Sequence, residues 1–276
     1  MKEKHSFSTL QFSLVLVLLL FTRNIFALPS GGQILHGDAV IENAGKTLKI
    51  TADHDTVIQW DSFDIAENEI VEILLVDPST HIELLVNPVK ATEIFGRLLA
   101  NASVSLVNSS GISIEPAGTV ECAALIASAF NLTNDNEFSC QGGGSSSLVN
   151  RGTIKTNGGN IILLGQKILL TDTAVVDASG ELNGGNIFIG GGKYGSDPSL
   201  PNADIVIVHR KAQIIADATL AGTGGDIVVW ADKANTFLGF ISSTGGNVEV
   251  SCKESLYFDG KANLFARDGT QGTLRR

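Results

Sequence analysis

From residue 28 onward the hydrophobic positions fall in short runs, at 71–76, 103–107, 161–164, 187–189, 204–208, 227–230 and 248–251, bounded by Gly, Asn, Asp or Ser. Runs of this length, rich in Val and Ile, have the reach of β-strands, and no long stretch carries a helical period. The pattern predicts an all-β chain. One unit recurs in it, Gly-Gly-(Asn/Asp)-(Ile/Val)-x-apolar, beginning at Gly158-Gly159, Gly184-Gly185, Gly224-Gly225 and Gly245-Gly246, with starts 26, 40 and 21 residues apart. A period of about 20 to 26 residues, taken twice across the longest gap, accounts for all three intervals and lies in the range of solenoid repeats. Each Gly-Gly pair is read as a tight corner that admits positive φ. Each Asn or Asp is read as bonding its own backbone at the turn, with the apolar run that follows forming one strand of a coil. Stacked coils set equivalent strands about 4.8 Å apart in parallel, and about 21 residues per coil gives roughly 12 coils in a rod near 57 Å long. A β-sandwich with Gly-rich turns is the alternative, and it supplies no reason to repeat one corner sequence.

The first 27 residues are a separate object. Lys2 and Lys4 make a basic start and residues 14–21 are continuously apolar. That run is shorter than the ~20 residues a bilayer core requires, so it reads as a secretory signal cleaved after Ala27. Charged residues are 17% of the chain and there are 30 glycines, a balance that favours strands and turns over Glu/Lys-rich surface helices. The net charge of −10 argues against nucleic acid, whose binders need a basic footprint to release counterions. Cys122, Cys140 and Cys252 form no CxxC pair, so neither a disulfide framework nor a four-ligand zinc site is expected. A Cys122–Cys140 bridge across adjacent turns and buried thiols are the two readings left open.

Two stretches resemble a known family. In the first, Leu28-Pro29-Ser30-Gly31-Gly32 resembles a mature N-terminus and Trp60-Asp61-Ser62-Phe63-Asp64-Ile65 a W-x-x-F-x-I strand. The densest segment is Ile94-Phe95-Gly96-Arg97-Leu98, then residues 101–112, 117–120, 125–132 and 135–138, in family order and spacing. In the second, Asn186-Ile187-Phe188-Ile189-Gly190-Gly191, Pro201-Asn202-Ala203, Val229-Trp230-Ala231-Asp232 and residues 269–274 resemble haemagglutinin coils. The family is that of two-partner secretion exoproteins, typified by filamentous haemagglutinin. The resemblance implies a right-handed parallel β-helix with an N-terminal cap. It divides the chain into a signal (1–27), a secretion domain (28–145) and continuing haemagglutinin-type coils (146–276) that end early.

It also implies export through the periplasm and across the outer membrane of a Gram-negative bacterium by an Omp85-type barrel partner. The exported rod then serves as an adhesin or haemagglutinin-like module, with a host or neighbouring-cell receptor or glycan as a further partner. Transporter recognition is carried over to Asn101, Asn108 and Gly111, with Gly96 and Arg97 shaping the same region. Where the family has Asn-Pro-Asn-Gly, this chain has Asn108-Ser109-Ser110-Gly111, without the proline that pre-sets φ in the turn.

No enzyme chemistry is expected. Gly190-Gly191-Gly192-Lys193-Tyr194-Gly195 fits a dinucleotide fingerprint in letters, but Pro198 and Pro201 deny it the helix the motif requires, so it reads as a loop leaving the rod. Gly45-Lys46-Thr47 reads as a turn, and residues 222–226 as a non-repeated fragment of a calcium nonapeptide. The pairs Asp53/Asp55 and Asp61/Asp64 suit the alternative of a secreted carbohydrate-active β-helix enzyme, but they read as solvated outer-face acids. A third possibility is the carrier of a contact-dependent toxin. His5, His36, His54, His81 and His209 show no ligand spacing, so no metal or cofactor is expected. The sequons at Asn101, Asn108 and Asn131 read as turn and ladder asparagines.

Overall fold

The computed structural model describes residues 28–132, 138–139, 146–266 and 269–276. The signal-type segment and Cys140 lie outside them. Among the described residues the chain coils through three long sheets, two of ten strands and one of seven. One turn shows the path: Arg97–Ala100 lies on the first face, Ser103–Val107 on the second, Ile112–Ile114 on the third, and Thr119–Cys122 is back on the first, parallel to where the turn began. On the first face Thr47 stands opposite Ile70, then Arg97, Thr119, Thr153, Val175, Gln213, Phe240 and Lys261 in unbroken parallel register. This is a parallel β-helix.

Alternation within each short strand turns one set of side chains inward, and the common register stacks them in columns. Leu98, Val120, Ile154, Val176, Ile214 and Ile241 form one such column, each no more than 1% exposed. Burying a side chain of this size contributes about 1.5–3 kcal/mol, so the rod is held by a continuous apolar axis.

The expected cap is present and antiparallel. Gln33–His36 pairs with Thr56–Trp60, and Ala39–Ala44 pairs with Thr47–Ala52. Gln33–His36 and Ala39–Ala44 occupy the end positions of the two ten-stranded sheets, where a parallel strand would otherwise present an open edge. Under the cap, Trp60 and Phe63 meet edge to face at 5.6 Å.

Three details of the repeat reading are corrected. First, the 40-residue interval is one turn: Ile187–Ile189 pairs directly with Ile227–Ala231, and most of the excess length leaves the rod at 190–203, while 216–226 stays bonded to the previous turn. The ten-strand order of the first face holds nine parallel strands, fewer than the ~12 expected from a uniform period, because such loops lengthen individual turns. Second, positive φ occurs at Gly158 and Gly245, whereas the second glycine of each pair is required by stacking. A Cβ on Gly185 would lie 2.2 Å from the Gly159 carbonyl oxygen, and one on Gly225 2.1 Å from that of Gly185. Third, the Asn and Asp side chains bond the neighbouring turn rather than their own. The Asn186 N–H donates to Asn160 Oδ1 and the Asp226 N–H to Asn186 Oδ1, both at 2.9 Å. Asn247 Nδ2 then donates to Asp226 Oδ1, also at 2.9 Å.

The Gly-rich segment 190–203 leaves the rod as expected, with a 3-10 turn at Lys193–Gly195. An antiparallel pair, Asn131–Leu132 with Phe138–Ser139, projects from another turn. On the outside of the second face, Phe130, Leu164 and Leu200 form a small second core with Ile162 and Phe188 packed on it.

Candidate functional site

The five residues to which recognition was carried over all lie on one turn of the helix, but at its different corners. Gly96 opens the first-face strand. Its N–H donates to the Ile65 carbonyl at 3.0 Å, and a Cβ there would come within 2.3 Å of the Glu69 carbonyl oxygen. Arg97 follows it and points outward, half exposed, 3.9 Å from Glu121. Asn101 caps the corner between the first and second faces. Its Oδ1 accepts from the Leu75 N–H and its Nδ2 donates to the Leu75 carbonyl, both at 2.8 Å, so the amide imitates a backbone rung.

Asn108 is 1% exposed. Its Nδ2 donates to the Lys90 carbonyl at 2.9 Å and to Thr92 Oγ1 at 3.0 Å, and its Oδ1 accepts from the Ser110 N–H at 3.0 Å. The Gly111 N–H closes the turn on the Asn108 carbonyl at 2.9 Å. Gly111 has φ +119, and a Cβ there would stand 3.0 Å from the Ser147 carbonyl oxygen. The side-chain bond from Asn108 thus fixes the turn that a proline would otherwise pre-set.

Arg97 and Asn101 share an outer groove of about 790 Å³, whose floor includes Leu99, Ala100 and Ala123 and whose rim carries Glu72, Glu121 and Lys155. The groove follows from unequal corner lengths: Asn101-Ala102 and Ala123 turn tightly, between the longer corners at 76–80 and 157–160. Arg97 and Asn101 are reachable by a partner, while Asn108, Gly96 and Gly111 act within the fold.

The paired acids are not an equivalent pair of solvated groups. Asp61 is exposed and accepts from Asn87 Nδ2 at 2.9 Å. Asp64 is 6% exposed: it pairs with Lys90, and its Oδ1 accepts from the Glu93 N–H at 2.9 Å. This contradicts the outer-face reading of Asp64. Its carboxylate takes the place of a carbonyl at the edge of the first third-face strand, Thr92–Ile94. Asp55 Oδ1 likewise accepts the His81 N–H at 2.7 Å. Both acids serve as backbone acceptors at the capped end. Cys122 is buried and its thiol donates to the Ala124 carbonyl at 3.2 Å, with burial pushing its pKa up to about 12. Among the described residues no cluster of three His, Cys, Asp or Glu side chains has metal-holding geometry.

Sequence reasoning missed two features. One is a second ladder of small residues where the third face turns into the first: Gly96, Gly118, Gly152, Ala174, Ala212 and Gly239 each offer a carbonyl to the residue opening the next first-face strand, at 2.9–3.0 Å. The signal was available, since each stands two positions before an inward apolar residue. The other is the cluster around Tyr194 and Glu249, which are 55 positions apart and gave no local signal.

The solved structures of two secretion domains align along most of this chain. The HMW1 secretion domain of Haemophilus influenzae is 17% identical, with 89% of this chain and 100% of that one covered at a TM-score of 0.43. The filamentous hemagglutinin secretion domain is 12% identical, with coverage of 90% and 99% and a TM-score of 0.43. In sequence, the heme/hemopexin-binding protein of Haemophilus influenzae is 30% identical over 166 residues, 58% of this chain. Those residues span 18% of that relative's own length. No protein-family description matches the chain.

Proposed function

We propose that the chain is a two-partner secretion exoprotein, a non-catalytic β-helix that directs its own passage through an Omp85-type outer-membrane barrel and then displays an adhesive surface. In this reading residues 1–27 deliver it to the periplasm, 28–145 form the secretion domain, and 146–276 continue the rod. The observation that carries it is the coincidence of two independent patterns. The segments that resemble the family, at 58–65, 94–112 and 117–132, occupy turns near the antiparallel cap, with the turn of Ile70–Leu75 and His81–Val86 between the first and the second.

The physics suits such a route. Each turn pairs only with its neighbours, so turns can add one by one to a capped template as chain emerges, and their burial drives the process. Arg97 and Asn101, accessible in one groove, are the residues assigned to contact the barrel.

Co-expression with and without a cognate barrel tests the proposal. The expected result is chain in the medium only when the barrel is present, and reduced export of Arg97→Ala at unchanged thermal stability. Equal export without the barrel contradicts it.

A further inference from the structure

The loop at 190–203 is anchored along the second face in a way that a mere excursion does not require. Gly195 sits on the Trp230 indole, where a Cβ would fall 2.2 Å from Cε2. Asn202 Nδ2 donates to the Gly195 carbonyl at 3.0 Å and to Asp232 Oδ1 at 3.1 Å. Lys193 pairs with Asp226 at 2.5 Å. These anchors hold Tyr194 at φ 58, ψ 16, a left-handed conformation that is costly for a bulky side chain and recurs where a ligand is held. The Tyr194 N–H donates to Glu249 Oε1 at 3.1 Å, and the side chain remains 53% exposed.

Beside it is a cavity of about 170 Å³ lined by Lys193, Tyr194, Asp226, Asn247, Glu249 and Arg275, with Val228 and Thr273 among the remaining residues. Its polar groups are held in place. Asn247 Nδ2 donates to Asp226 Oδ1 at 2.9 Å, Thr273 Oγ1 to Asn247 Oδ1 at 2.7 Å, and Ser251 Oγ to Glu249 Oε1 at 2.5 Å. The Arg275 guanidinium carbon lies 4.6 Å from the Tyr194 ring centroid. Two cations and two carboxylates line the space, so it carries no net charge to select an ion.

We propose that this pocket binds a neutral saccharide ring, with the apolar face of the sugar on the side of the Tyr194 ring that Arg275 leaves uncovered and its hydroxyls on the polar groups of Asp226, Asn247 and Glu249. An aromatic platform satisfies the C–H face of a sugar, and fixed donors and acceptors in both senses satisfy its hydroxyls. An anion would meet Asp226 and Glu249, a cation would meet Lys193 and Arg275, and an apolar group would leave all four unsolvated. The inference rests on the adhesive part of the proposed function, whereas the site lies outside the residues assigned to export.

Saturation-transfer NMR on the full chain with glucose, galactose, mannose, N-acetylglucosamine and lactose, and with sialyllactose as the charged control, tests the proposal. Tyr194→Gly is the informative variant, because glycine accepts the left-handed backbone while the platform is removed. Asn247→Ala removes a hydroxyl partner without touching the loop. The expected result is saturation transfer to at least one neutral sugar, with affinity at least about tenfold weaker in both variants and an unchanged circular dichroism spectrum. Transfer to sialyllactose alone, no transfer at millimolar sugar, or affinities unchanged in the variants overturns it.

Discussion

Gly185 lies outside the left-handed φ range, yet a Cβ on it would lie 2.2 Å from the Gly159 carbonyl oxygen. The backbone of the previous turn, not strain, closes the position to side chains. Gly245 is the opposite case, with φ +76 and no atom nearer to a built Cβ than 3.3 Å. Gly185→Ala is therefore expected to cost about 1–3 kcal/mol through forced separation of turns. Gly245→Ala is expected to cost about 1–2 kcal/mol through backbone strain. Urea denaturation of the two variants checks the order, and a larger loss at Gly245 contradicts it.

Titration gives a second test at this scale. Burial raises the Cys122 thiol from its ordinary value of 9.0 to about 12, so the folded state disfavours the thiolate. Its contribution to stability is fully present below about pH 9 and is lost as pH rises from there towards 12. Cys122 is expected to resist alkylation at pH 8 in the native protein and to react on unfolding, as mass spectrometry after iodoacetamide treatment can show.

At the scale of elements, the first third-face strand depends on Asp64 for an acceptor that no neighbouring strand supplies. Asp64→Ala leaves the Glu93 N–H without that bond and removes the partner of Lys90, and is expected to cost about 1–3 kcal/mol. Hydrogen exchange should localise the loss to residues 92–94, whereas uniform protection across the chain contradicts the edge role.

The strands themselves were legible. The runs at 161–164, 187–189 and 227–230 coincide with or fall within observed strands, and the Gly-Gly corners do mark successive turns. Their spacing misled, because the loop at 190–203 lengthens a turn without adding one, and a period cannot distinguish a doubled turn from an expanded one. The glycines were identified for backbone freedom, although six of the eight serve close approach of backbone segments, a long-range cause without a local signature. Of the candidate recognition residues, Asn108 was carried over by resemblance, and its amide is bound inward to Lys90 and Thr92. The alternation that predicts strands says nothing about which corner protrudes, so the groove at Arg97 and Asn101 became visible only in three dimensions.

The whole molecule is one axis of stacked turns with a closed, antiparallel end. That end sets what should follow a loss of the cap: removal of residues 28–44 exposes the edges of Thr47–Ala52 and Thr56–Trp60 and is expected to make copies of the rod associate. Size-exclusion chromatography at several concentrations reads the change, and a stable monomer contradicts it. Export through a barrel, if the proposed function holds, makes the same cap the template on which later turns assemble.

The central claim is that all these turns share one parallel register, including the turn stretched by the loop at 190–203. Disulfide trapping reads it directly in a background with the three native cysteines replaced by serine. Val175 and Gln213 are register partners on the first face, and neighbouring strands about 4.8 Å apart place their Cα atoms inside the bridging range of about 4.4–6.8 Å. Val175→Cys with Gln213→Cys is expected to form an intramolecular disulfide under mild oxidation, while Val175→Cys with Phe240→Cys, one turn farther on, stays reduced. Bridging by the second pair and not the first contradicts the register.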